Sequence, residues 1–167
     1  MSVQVLSENI AETRRVGMDI LQTMLYEQDK NLQKQKYDDI QKSNDIFQKN
    51  IQVYRSLETD TTELQMLDKV TSEWNDYIAG VKELAQFSMN NNIQLNNIMN
   101  QLKDLNEKFK VTQNDINELT KYNIKDAKNA YDLSKVEYHS SMKKYTIILI
   151  ISIIIGIFST LVINESI

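Results

Sequence analysis

Residues 93–144 read IQLNNIMNQLKDLNEKFKVTQNDINELTKYNIKDAKNAYDLSKVEYHSSMKK, and residues 145–163 continue as YTIILIISIIIGIFSTLVI. Ile98, Leu102, Leu105, Phe109, Thr112, Ile116 and Leu119 recur in steps of four and three, which lays one apolar seam along an α-helix. No proline interrupts these residues, so a single helix is predicted from Ile93 onward, roughly 106 Å long at about 1.5 Å per residue. Past Leu119 the seam passes to Asn123, Ala127, Ala130 and Ser134, where small side chains let a neighbouring helix approach closely. A wide core narrowing to a thinner helical stalk is the expectation. The 19 residues of 145–163 carry no charge and would span roughly 28 Å, close to the hydrocarbon thickness of a bilayer. A buried core helix of this character would need a larger protein around it. The last helix is therefore expected to continue into a C-terminal transmembrane helix, with Lys143, Lys144 and Tyr145 as anchors at the headgroups. Residues 164–167 form a short tail.

Working back toward the N-terminus, three more seams appear. Leu6, Ile10, Thr13, Gly17, Ile20 and Met24 form the first, which ends in the polar run from Glu27 to Lys34. Ile40, Asn44, Phe47, Ile51 and Tyr54 form the second. The run 58–63 then offers Thr59, Asp60 or Thr61 as an N-cap, with Asp60 and Glu63 at capping-box spacing. The third seam holds Leu64, Leu67, Thr71, Trp74, Ile78, Val81, Ala85 and Ser88, and Asn90, Asn91 and Asn92 are the best remaining turn. Four seams joined by short turns predict an all-α, antiparallel up-down four-helix bundle over residues 1–144. The fourth helix has 52 residues before Tyr145, so it should overhang its partners by about 20 residues, or ~30 Å. A second protomer or sequence upstream would have to cover that overhang.

Composition narrows the function. The chain has 167 residues, no Cys, no Pro, three glycines (Gly17, Gly80, Gly156) and a net charge of −4. Disulfides, thiolate metal sites and a Cys nucleophile are excluded, and Gly-rich phosphate loops have no material. A mild acidic excess provides no footprint for nucleic acid. His139 stands alone beside Tyr138, Ser140 and Ser141, which does not suit a metal. No catalytic constellation stands out, so no enzyme and no cofactor are expected. Residues 1–15 are polar and lack the apolar stretch of a secretory signal.

The order NIAETRRVGMDIL, then ELQMLDKVTSEWNDYIAGVKELAQF, then NNIMNQLKDLNEKFKVTQNDINELTKYNIKDAKNAYDLSKVEYHSSMKKY against an apolar span resembles the four-helix-bundle ligand-binding domain of bacterial methyl-accepting chemotaxis receptors. The resemblance covers nearly all of residues 6–163, most tellingly at Trp74-Asn-Asp-Tyr77 and along Leu119, Asn123, Ala127, Ala130 and Tyr138. It is similar too to sensor regions of some histidine kinases and cyclases. It implies a homodimeric extracytoplasmic bundle that binds a small molecule and passes a displacement along its last helix through the membrane. This sequence departs from the family pattern at both ends, with no first transmembrane helix before the bundle and no linker, methylation helices or kinase-coupling tip after Ile167. A truncated reading frame, a domain fragment or a misassigned start would each account for this.

Three groups are candidate site residues. Arg14 and Arg15, with Asn9, could hold a ligand carboxylate at a dimer interface, since guanidinium offers a rigid bidentate fork; they could equally be a solvated pair beside the seam. Trp74 and Tyr77 could line a pocket or simply fill the core. The seam Asn123, Ala127, Ala130 and Ser134 is the candidate for helix packing near the membrane. A reading from another class stays open, a tail-anchored SNARE-like coiled-coil protein. Lys125, Lys128, Lys135, Lys143 and Lys144 precede the span and none follows, which favours a cytoplasmic bundle. Small residues in the heptads next to the span fit a fusion zipper poorly.

Overall fold

The computed structural model of the chain describes residues 2–26, 28–57, 59–90 and 95–165. Among these residues there are four α-helices: α1 Ser2–Leu25, α2 Lys30–Leu57, α3 Thr61–Asn90 and α4 Leu95–Glu165. No strand occurs among the described residues. The chain divides into two units, residues 1–124 and 125–167.

The turns follow from local capping. Asp29 Oδ1 accepts the backbone N–H of Asn31 and of Leu32 at 3.1 and 3.0 Å, which satisfies donors that α2 would otherwise leave open. Asp60 does the same for α3, accepting the Glu63 N–H at 2.8 Å, so of the three possible caps the aspartate is used. A carboxylate suits that place because it also faces the positive end of the helix dipole. α3 ends at Asn90; Asn91, Asn92 and Ile93 of the expected turn and helix start lie outside the described residues.

In the first unit, cross-helix bonds set an up-down order. Along α1 and α2, Asn9 pairs with Asn50 and Asp19 with Lys36. Between α2 and α3, Gln33 meets Ser88 and Asn44 meets Trp74, while Arg55 pairs with Asp68. α3 and α4 join through Lys69 with Asp115 and Glu63 with Asn123. In each case one number rises as the other falls, the signature of antiparallel neighbours. Thr13 accepts from Gln113 Nε2 at 3.4 Å, closing α4 onto α1.

The seams are the core. Leu6, Ile40, Phe47, Tyr54, Leu67, Trp74, Val81, Ile116 and Leu119 are fully or almost fully buried. Phe47 stacks on Trp74 with ring centroids 4.0 Å apart, and tilted contacts carry the row on through Tyr77 to Phe109. One row of rings thus ties α2, α3 and α4 together. α1 buries more than its predicted seam, because Val5, Asn9, Glu12, Val16, Asp19 and Thr23 form a second buried stripe beside it.

In the second unit, α4 alone is present, and every described side chain from Lys125 to Ile153 is exposed. That includes Ala127, Ala130 and Ser134, as well as the proposed anchors Lys143, Lys144 and Tyr145. Among the described residues no helix is long and apolar enough to cross a membrane. Of the expected span 145–163, the side chains of Ile154 and of residues 156–163 lie outside the described residues.

Candidate functional site

Two grooves flank α1, and Arg14 borders both. The first lies against α2 and has a volume of about 670 Å³; Arg14, Arg15, Asp19, Lys36 and Asp39 are among its lining residues. Its charges already answer one another. Arg15 pairs with Glu12 at 2.8 Å, and Lys36 bridges Asp19 at 3.2 Å and Asp39 at 3.3 Å. Burial pushes the Asp19 carboxyl above the usual aspartate range even though the Lys36 bond pulls the other way. The same bond raises Lys36. Arg15 and Lys36 are thus engaged by carboxylates, and Asp19 and Asp39 in the lining oppose a ligand anion.

The second groove lies between α1 and α4, has a volume of about 440 Å³ and is walled by Gly17, Ile20, Leu21, Leu102, Leu105 and Phe109, with Arg14, Met18 and Asn106 at its edge and Tyr77 of α3 reaching in. This is within the size range of small-molecule sites, and its mostly apolar lining with a few polar groups is typical of them. Tyr77 is 2% exposed, and its hydroxyl makes no hydrogen bond among the described residues. Burial pushes its phenol well above the usual tyrosine range, so it stays a neutral O–H donor. Arg14 is exposed and pairs with no carboxylate among the described residues.

The sequence-derived candidates therefore separate. Arg14 borders both grooves and Arg15 only the one facing α2. Asn9 borders neither: it is fully buried, and its Oδ1 accepts from Asn50 at 2.9 Å. Trp74 is core, donating its Nε1–H to Asn44 at 3.0 Å. Tyr77 belongs both to the core and to the groove. Asn123 is held inside the bundle, its Nδ2 donating to Glu63 Oε1 at 2.7 Å and to the Tyr54 oxygen at 3.2 Å, while Tyr54 also donates to Glu63. It is set apart from Ala127, Ala130 and Ser134 by those bonds, which a small-residue reading of the seam does not anticipate. Buried Glu63 was legible only as a capping residue; the polar seam members Tyr54 and Asn123 were the signal that a third polar group meets them.

Residues 1–138 match the family described as a four helix bundle sensory module for signal transduction. The chain belongs to that family. The matched range takes in α1, α2, α3 and α4 as far as Tyr138, and so includes the whole α1–α4 groove of this sensory module. No curated protein and no solved structure matches the chain.

Proposed function

We propose that this sensory module is the extracytoplasmic ligand-sensing part of a chemotaxis-type transmembrane receptor. It is held in the bilayer by residues 145–163 and passes a displacement of α4 across the membrane. One observation carries the reading: every large apolar side chain described from Tyr145 through Ile155 is at least 50% exposed, on the same helix whose Ile98–Leu119 seam is buried. An apolar helix with no protein around it is at home in hydrocarbon, where its backbone bonds are satisfied internally. In this reading the module works as a homodimer, whose second copy would cover the exposed Leu133 and Val136 of α4. The same module could serve a histidine kinase or a cyclase, since the output lies beyond the bundle.

The tail-anchored reading draws on exposed Lys125, Lys128, Lys135, Lys143 and Lys144 ahead of the span. Topology separates the two. The chain has no Cys, so Ser56→Cys and Ser72→Cys, both at exposed positions, are clean reporters when expressed from the native locus. An impermeant maleimide added to intact cells should label both. Protection until the membrane is broken would place the bundle in the cytoplasm and end the sensor reading.

A further inference from the structure

Gly17 sits in the interior of α1 with no positive φ. An alanine there would be favoured by up to about 1 kcal/mol on helix propensity alone. Packing does not require the glycine either: an added Cβ would stand 3.5 Å from the Tyr77 hydroxyl and 3.8 Å from Phe109 Cε2, ordinary contact distances. Gly80 is the contrast, since a Cβ there would lie 2.8 Å from Leu105 Cδ2. What Gly17 does is leave the groove between α1 and α4 open above the Tyr77 hydroxyl. Arg14 lies one turn back on the same face, where side chains three apart are neighbours about 5–6 Å apart at Cβ. Among the described residues, a hydroxyl donor with no hydrogen-bond partner and a cation with no ion pair thus flank one gap, and no carboxylate lines it.

We propose that this groove, within a single copy of the chain, binds a small amphipathic anion. One oxygen of its acidic group accepts from the Tyr77 hydroxyl and the group faces Arg14, while its apolar body lies on Leu102, Leu105 and Phe109. This deepens the sensor reading and rests on it by naming the ligand class. The Tyr77 hydroxyl opens on the groove, so a ligand acceptor placed there gives it a hydrogen-bond partner. An anion of amino-acid size without an apolar body would leave the aliphatic and aromatic walls wet.

The test uses the purified full chain in detergent and two probes that share a body, phenylbutyrate and phenylbutanol. Trp74 is the only tryptophan and its ring centroid lies 5.8 Å from that of Tyr77, so its emission reports the floor of the groove. Phenylbutyrate should change that emission saturably and bind about tenfold tighter than phenylbutanol, the size of one charge-assisted contact. Arg14→Gln should remove that difference, and Tyr77→Phe should weaken phenylbutyrate. Gly17→Leu should abolish binding, and Gly17→Ala, which suits the helix, should weaken it with circular dichroism unchanged. Absence of saturable binding, equal affinity for the two probes, or Gly17→Ala and Gly17→Leu binding as the native chain does would overturn the proposal. So would phenylbutyrate affinity that falls as protein concentration drives dimer formation, since the groove would then be a subunit interface. Binding is read on purified protein and topology in cells, so this proposal and the sensor reading fail by different results.

Discussion

Within α4, residues 98–119 and residues 125–153 are equally helical, yet Ile98, Leu105, Ile116 and Leu119 are buried while Leu133, Val136 and Met142 stand exposed. Spacing and the absence of breakers decide that both are helix; only the presence of facing seams decides which one is core. The two halves therefore draw on different sources of stability. The first is held by tertiary packing of an apolar stripe, the usual source for protein helices, and the second by its own propensity and by whatever surrounds it outside this chain.

The largest test of that contrast is a pair of identical truncations. Leu119→Ala should destabilise the bundle by about 2–5 kcal/mol in urea unfolding of the full chain, and Leu133→Ala by less than about 0.5 kcal/mol. Comparable losses would mean that the exposed half is packed in solution. At the border between the halves, Asn123→Ala withdraws the amide from buried Glu63 and from Tyr54 and should lose about 1–3 kcal/mol. The two glycines give the next step down. Gly17→Ala should stabilise by up to about 1 kcal/mol, whereas Gly80→Ala, which obliges Leu105 to shift, should end about 1–3 kcal/mol below it; thermal melts of the two would settle the order.

Smaller still is a pH effect at Asp19. Its folded pKa is raised by burial from the ordinary 3.8, so its contribution is fully present below that value and is lost as pH rises through the folded one. The stability of Asp19→Asn relative to the native chain should therefore grow over that acidic window and then level off. A difference that shrinks with rising pH would show the Lys36 bond outweighing burial. Smallest of all is Ala127→Leu, expected to stay within about 0.5 kcal/mol in the dilute chain because the position is exposed.

Four seams were readable because their members are mostly large and apolar: Ile40, Phe47, Ile51 and Tyr54 of α2, and Leu67, Trp74, Ile78 and Val81 of α3, are buried as their spacing demands. The second stripe of α1 was not readable, since Asn9, Glu12, Asp19 and Thr23 look like a wet face, yet helices packed on α1 bury them. Asn50 lies on α2 and Gln33 reaches the Thr23 carbonyl at 2.8 Å from α2 as well. No period along one helix reports partners on another. The groove was half readable: Arg14 and Tyr77 were both singled out, but in separate groups, because their meeting depends on the α1–α4 seam and on the side chain that Gly17 lacks.

The connections have a consequence for the order in which the bundle closes. α1 and α2 are joined by four residues and α2 and α3 by three, so those pairs can zip up as neighbouring hairpins with little loop entropy lost. Thr13 and Gln113, by contrast, meet across a separation of 100 residues. The α1–α4 contact is the one that turns an open sequence of hairpins into a closed ring of four. Being the most distant in sequence, it is expected to form last and, in hydrogen exchange, to open first. A molecule lodged along that closure would act as a latch on the final step of folding, and the heat needed to open the bundle would then report its presence.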